Sequence, residues 1–359
     1  MRALVTGAAG LVGAGIVRAL LDSGESVRAL VRTESGTAAL GDLPLEIVTA
    51  DVRSADGLAP AMAGCDVVFH AAAHFAYSGL TASELEETTL SGTGHVLRAA
   101  REAGVRRVVV TSSSVVLGYS LNREIRDESS GLAAEEGEAP YVVAKLRQDR
   151  LALALGEDLG LDVVLVCPTM TLGPSGARLG PSNGIVVAYL ADPFRTTFPG
   201  GCNLVSSLDV GHAHRLAAKL GTPGERYLAG SENLEWEAIH RMIAELCGVP
   251  GPRLRAGHAA CYLGASAEEA RASFRGRAPL TTREQARMVG RFYWYSHSRL
   301  ARLGYAPRSA RAALAAAVSW LAASPHVSRE LRAGLRLSPE VWAARRAESA
   351  ENAGRRRSA

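Results

Sequence analysis

Residues 5–13 read Val-Thr-Gly-Ala-Ala-Gly-Leu-Val-Gly, and this glycine-spaced turn constrains the chain more than any other segment. It follows a short apolar run and opens an amphipathic one. Gly7, Gly10 and Gly13, with Leu11 and Val12 between them, permit a tight strand-to-helix turn. They also let a pyrophosphate approach the backbone and rest on the first N–H groups of the helix. The segment therefore predicts a βαβ unit that receives a dinucleotide.

The pattern downstream agrees. Apolar runs at 3–5, 26–31, 45–48, 66–69, 107–110 and 163–166 are nearly continuous, as in strands buried on both faces of a parallel sheet. Helical patterns at 11–21, 56–62, 82–103 and 140–159 lie between them. This alternation predicts an α/β fold, a doubly wound parallel sheet with right-handed crossovers. After Pro168 the alternation stops and turn residues cluster at 172–176 and 179–184. The expected division is a dinucleotide-binding domain over 1–170 and a smaller substrate-binding lobe over 171–323 that returns to the sheet. A helical, then polar, solvated tail over 324–359 ends in three arginines.

Composition excludes several classes. The net charge of +4 comes with no basic stripe interleaved with aromatics, so no nucleic-acid partner is expected. Cys65, Cys167, Cys202, Cys247 and Cys261 are scattered and unpaired in spacing, which fits a reducing cytoplasm better than a disulfide or zinc framework. The most apolar helix, 312–323, is too short to span a bilayer, and no signal peptide precedes the first strand. A cytoplasmic protein without a membrane partner is expected. His70/His74 and His212/His214 join no carboxylate at ligand spacing, so no metal is expected.

Only two lysines occur, Lys145 and Lys219, and one closes Tyr141-Val-Val-Ala-Lys145 at the start of a helix. Residues four apart share one helix face, so both side chains can enter the same cleft. A TGxxGxxG turn followed by YxxxK resembles the extended short-chain dehydrogenases/reductases, in the NAD-dependent epimerase/dehydratase superfamily, and that resemblance implies a Rossmann-type fold. It also implies roles for other positions. Asp51 and Val52 would contact adenine, and Ala71, Ala72 and Ala73 would lie beside the cofactor. Thr111 would end the serine-bearing strand, and Pro168, Thr169 and Met170 would run beside the nicotinamide amide. Ser113 would bind the substrate oxygen, Tyr141 would act as general acid/base, and Lys145 would hold the ribose while its charge lowers the Tyr141 pKa. His74, Phe75, Ser114 and Thr171 are candidate substrate contacts. Two positions depart from the pattern: Cys167 replaces the usual arginine and Thr89 the usual asparagine.

Similarity continues through 224–230 and 304–308, which look like dihydroflavonol-reductase-like and hopanoid-associated bacterial members. At the end of the second strand Arg32, with Thr33 and Ser35, favours NADP(H), whereas Glu34 leaves NAD(H) as the alternative. The expected reaction interconverts a ketone and a secondary alcohol on a small, apolar or aromatic substrate. A nucleotide-sugar epimerase or dehydratase is the alternative, with Arg178 and Arg195 as candidate diphosphate contacts. A non-catalytic dinucleotide sensor would lack the Tyr-Lys pair. The family habit also implies a homodimer through the helices at 82–103 and 140–159.

Overall fold

The structure, a computed structural model, describes residues 1–32, 40–41, 43–73, 82–132, 135, 138–174, 179–276 and 279–357. Its strands, in chain order, are β1 (Arg2–Thr6), β2 (Ser26–Val31), β3 (Glu46–Thr49), β4 (Val67–His70), β5 (Arg107–Thr111) and β6 (Asp162–Pro168). They continue with β7 (Met170–Leu172), β8 (Thr196–Thr197), β9 (Gly201–Ser206), β10 (Arg226–Ala229), β11 (Glu232–Glu235), β12 (Leu254–Arg255) and β13 (Phe292–Tyr293). Seven form one sheet in the order β10-β6-β5-β4-β1-β2-β3. All its pairings are parallel. The chain reverses its direction of travel between β1 and β4, where a doubly wound sheet opens a crevice beyond its strand ends.

Alternate strand residues feed two cores, which is why the strands read as continuous apolar runs. Val5, Val27, Phe69 and Val109 pack with Ile16, Val17 and Val210 of helices Leu11–Leu21 and Ser207–Leu220. Leu4, Leu30, Val68 and Val108 pack with Leu58, Met62, Leu97 and Ala152 on the opposite face. The first pair of helices crosses backbone against backbone. A Cβ on Gly15 would lie 2.0 Å from the Ser207 carbonyl oxygen, and one on Gly211 would lie 2.2 Å from that of Gly15.

Two expected helices differ in detail. The helix at 56–62 begins only at Leu58, because Gly57 lies in the left-handed region at φ +76°. The pattern at 82–103 is interrupted: Ala82–Glu86 and Gly92–Glu102 are α-helical, and Glu87–Ser91 forms a π turn between them. Thr89 is buried in that turn and its carbonyl accepts the Thr93 hydroxyl at 2.6 Å.

Beyond Pro168, β10 joins the edge of the large sheet, while β7, β9, β11 and β13 build a second one. Its core includes Leu172, Val187, Leu204, Ile243 and Leu314. Asn203 knits the junction: its Oδ1 accepts the Thr169 hydroxyl at 2.8 Å and Ser231 N at 2.9 Å, and its amide donates to Asn233 Oδ1 at 2.7 Å. The chain after 323 is not a free tail at its start. Val327 and Val341 are buried in the same core, with Leu331, Leu335 and Leu337 packed against it. Arginines among these residues disguised their apolar side. Among the described residues no helix is long and apolar enough to cross a membrane.

Candidate active site

The glycine turn is shaped by close approach. Gly7 has φ +64°, and a Cβ there would lie 2.7 Å from Ala72 N and 2.8 Å from Ala71 O. A Cβ on Gly13 would lie 2.1 Å from Gly7 O. Gly10 caps helix Leu11–Leu21 without a side-chain hydrogen bond, and no acidic residue occupies the first turn. The N–H groups of Leu11, Val12 and Gly13 are therefore free to take an anion. This is the cradle a dinucleotide pyrophosphate requires, so the turn fits the group that the sequence implied.

A buried hydrogen-bond chain runs from this turn to Lys145. Ala72 N donates to Thr6 Oγ1 at 3.1 Å, and Thr6 Oγ1 meets His70 Nδ1 at 2.9 Å. His70 Nε2 meets Thr93 Oγ1 at 3.1 Å, and Gln148 Nε2 donates to the same oxygen at 2.8 Å. The Thr93 proton is committed to Thr89 O, so His70 carries its hydrogen on Nε2 and accepts the Thr6 hydroxyl at Nδ1. Burial, helped by the Lys145 charge, pushes the His70 pKa down to about 3, so the ring is neutral. Lys145 Nζ donates to Gln148 Oε1 and to Thr111 O, both at 2.9 Å. A third N–H remains for a ligand hydroxyl. Thr111 itself is fixed by His214, whose Nδ1 donates to Val210 O at 2.8 Å and whose Nε2 accepts the Thr111 hydroxyl at 2.9 Å.

The structure brings Ser113, Tyr141 and Lys145 together beyond the end of β5. Pro140 starts helix Pro140–Leu159, so Tyr141 stands in its first turn. Burial pushes the Tyr141 phenol up to about 12, a hydrogen bond with the Ser113 side chain pulls it down, and the Asp149 charge adds to the rise. The expected lowering by Lys145 does not appear among the influences on this tyrosine, which burial governs. Lys145 is driven down to about 8 by burial, against the charge of Asp149.

Asp149, one turn beyond Lys145, has 0% of its surface exposed. Burial raises its pKa, while the Ser112 hydroxyl, Arg226 and Lys145 oppose the rise. Arg226 Nε reaches its Oδ2 at 3.2 Å from the neighbouring strand β10. The thiol of Cys167 is pushed up by burial and by the Asp149 charge, so it is an inert neighbour.

Other expected residues fall as follows. The carboxylate of Asp51 is held by Arg53 through N, Nε and Nη2, at 2.7–3.2 Å. Burial raises Asp51 less than this pairing lowers it, and Arg32 contributes to the lowering. Arg32 is exposed at the end of β2 and has no ion-pair partner among the described residues. Val52 is buried, and its carbonyl meets His95 Nδ1 at 3.0 Å. Ala71 and Ala72 are half-buried and Ala73 exposed. Pro168 ends β6, Thr169 is tied to Asn203, and Met170 is half-buried on β7. Two candidate substrate contacts are already engaged: the Thr171 hydroxyl donates to Thr169 O at 3.0 Å, and Ser114 bonds the Tyr295 phenol. His74, Phe75, Thr33, Glu34, Ser35 and Arg178 lie outside the described residues.

Sequence reasoning missed Gln148, Thr93, His70, Asp149, Arg226 and Arg53. Helical spacing from Lys145 could have found Gln148 and Asp149. Nothing local points to Arg226, which comes from 77 residues away. It also missed a cluster by the catalytic helix, in which Arg291 lies 4.0 Å from the Tyr119 ring centroid and 3.5 Å from Glu138.

The profile of the NAD dependent epimerase/dehydratase family matches residues 3–205. The chain belongs to that family. Within it, sterol demethylase protein B of Methylococcus capsulatus is 34% identical over 325 residues, covering 89% of this chain and 98% of that protein. Dihydroflavonol 4-reductase of Zea mays is 36% identical over 197 residues, 50% of this chain and 55% of its own. A dTDP-glucose 4,6-dehydratase double mutant from Streptomyces venezuelae, solved with NAD bound, superposes with a TM-score of 0.67 at 27% identity, over 89% of this chain and 96% of that one. The protein is thus an NAD(P)-dependent oxidoreductase of the extended short-chain type, with the Rossmann-like fold expected from its motifs.

Proposed function

We propose that the protein is an NADP(H)-dependent ketoreductase that interconverts a ketone and a secondary alcohol on a small apolar or aromatic substrate. The observation that carries this reading is the Ser113–Tyr141 hydroxyl pair with Lys145 on the same helix face, beside a glycine turn shaped for pyrophosphate. The bound nicotinamide would supply or accept the hydride. The rest of the chemistry belongs to the chain. Ser113 holds the substrate oxygen, and Tyr141, kept protonated at neutral pH, gives its proton to that oxygen on reduction. Lys145, with two donors anchored on Thr111 and Gln148, offers the third to the ribose.

Arg32 supports NADP, because an exposed guanidinium at this strand end suits a 2′-phosphate, and Asp51 is already claimed by Arg53. Relatives named for a sterol and a dihydroflavonol support a ring-bearing apolar substrate. The likeness to a sugar-nucleotide dehydratase keeps that chemistry as the second reading. Five free cysteines favour a reducing cytoplasm.

The test is a steady-state assay with NADPH and NADH against ketosteroids, dihydroflavonols and dTDP- or UDP-sugars, beside a fluorescence titration with NADPH. Tyr141→Phe should cut turnover by roughly 100- to 10,000-fold and leave NADPH affinity nearly unchanged. Lys145→Ala should damage both, and Ser113→Ala mainly turnover. Full activity in Tyr141→Phe would remove its proton-transfer role. Turnover of sugar nucleotides alone would establish the second reading.

A further inference from the structure

Helix His258–Phe274 is built the wrong way round for a helix lying on a protein core. Of its 17 residues only Ala265 and Ala272 are buried. Its charged side chains serve the adjoining loop: Glu268 Oε1 accepts Leu280 N, Glu269 holds Arg283 at 2.6 Å, and Arg271 closes on Glu268 at 2.6 Å. The outward side carries Ala260, Leu263, Ala267, Ala270 and Phe274, all exposed. With 3.6 residues per turn these five fall within an arc of about 80°, so they form one straight apolar stripe about 21 Å long. Leu263 is 70% exposed and Phe274 94%. The strand pair β8–β12 just upstream adds Leu254, 50% exposed, and nearby Phe194, 66%. These are four of the eight large hydrophobic side chains exposed among the described residues, two on this helix and two on the chain that pairs just before it.

The charges around the stripe are as unusual as the stripe. Arg253 and Arg255 precede the helix and Arg275 follows it, all exposed. None of the three has an ion-pair partner among the described residues, whereas Glu268 and Glu269 are spent on Arg271 and Arg283. At the same corner the Asp192 carboxylate is turned onto the backbone of Phe194 and Thr196. A line of alanine, leucine and phenylalanine between unpaired arginines suits an interfacial helix.

We propose that this face docks peripherally on an anionic lipid bilayer, with Leu263 and Phe274 entering the headgroup region and Arg253, Arg255 and Arg275 facing lipid phosphates. The expectation of no membrane partner rested on the lack of a spanning segment, which does not bear on a surface contact. A second copy of the chain fits less well. A two-fold interface would lay the stripe on itself and bring arginine ends against arginine ends. The inference does not depend on the reaction assigned above.

The experiment is flotation of the full-length protein with vesicles of phosphatidylcholine alone and of equal parts phosphatidylcholine and phosphatidylglycerol. Binding should appear on the mixed vesicles and weaken as salt is added. Each arginine near such a surface is worth about fivefold in partitioning, so replacing Arg253, Arg255 and Arg275 by glutamine should cost roughly 100-fold. Leu263→Ser with Phe274→Ser should also abolish flotation. These side chains are exposed, so the variants should keep the parent melting temperature, which the same samples check. Absence of wild-type flotation, or flotation unchanged in both variants, would overturn the proposal. So would a concentration-dependent dimer that disappears with Leu263→Ser, which would make the face a contact between copies.

Discussion

Lys145 and Asp149 show how much of this site is set by burial rather than by pairing alone. Burial brings the ammonium down to about 8, and the Asp149 charge is the largest influence holding it up. Raising the pH through that value removes the positive charge that the proposed function sets against the ribose. Reduction should accordingly lose kcat/KM above about pH 8, while Tyr141, near 12, stays protonated throughout. Asp149→Asn deletes the supporting charge, so the alkaline limb should move to lower pH; the apparent values belong to the coupled group. A pH profile of both proteins decides it, and an unmoved limb would detach Lys145 from the observed ionisation. At the other end of the cofactor cleft, Arg32→Asp should weaken NADPH binding by about 1.5–3 kcal/mol, roughly 10- to 150-fold, and spare NADH. Equal losses for both cofactors, read by fluorescence titration, would end the case for a phosphate contact at Arg32. The placement of Ser113, Tyr141 and Lys145 around one strand end was legible because motif spacing in a parallel αβ unit is local. The shell that fixes them was not. Arg226 reaches Asp149 only because β10 returns beside β6, and no local pattern encodes that return.

The crossing of Leu11–Leu21 with Ser207–Leu220 links the glycine turn to the helix that follows β9 and packs on the same face of the large sheet. Gly15 and Gly211 meet there with no room for a methyl group. Either one changed to alanine must push the helices apart, and overpacking of this kind typically costs 1–3 kcal/mol. The displaced helix carries on its first turn the amides that would receive the pyrophosphate, so Gly211→Ala should lower the melting temperature and weaken NADPH together. Gly24→Ala is a poorer control despite its open space, because φ is +70° there; Gly180→Ala has open space and no positive φ. A thermal melt and cofactor titration of Gly211→Ala beside Gly180→Ala measures both effects. If the two variants matched, the close crossing would be of no consequence. Periodicity made the strands and most helices readable, since two-sided burial writes an apolar run directly into sequence. It did not reveal the π turn at Glu87–Ser91, which preserves apolar spacing while adding a residue to one turn. It also missed the packing of Val341, whose helix lies against helix Ala310–Ala323 and shares its core.

A candidate surface for self-association is the outward side of helix Pro140–Leu159 beside helix Gly92–Glu102. On that side Val143, Leu151 and Ala154 are partly or fully exposed, with Arg147 and Arg150 flanking them. Arg147 pairs with Glu86 at 2.9 Å and with Glu135 at 3.4 Å, so its charge is already partly neutralised. We propose that two chains pair here across a two-fold axis, each contributing both helices to a four-helix contact. Such a contact would brace the helix that carries Tyr141 and Lys145. Light scattering at micromolar concentration should then give twice the chain mass. Ala154→Arg places a cation near the axis, where symmetry sets it close to its own copy, and should return the mass to that of one chain. Ala154 is exposed in the single chain, so the substitution should leave the folded monomer intact, as circular dichroism would show. A wild-type monomer at these concentrations would refute the pairing. A dimer indifferent to Ala154→Arg would place the contact elsewhere on the molecule.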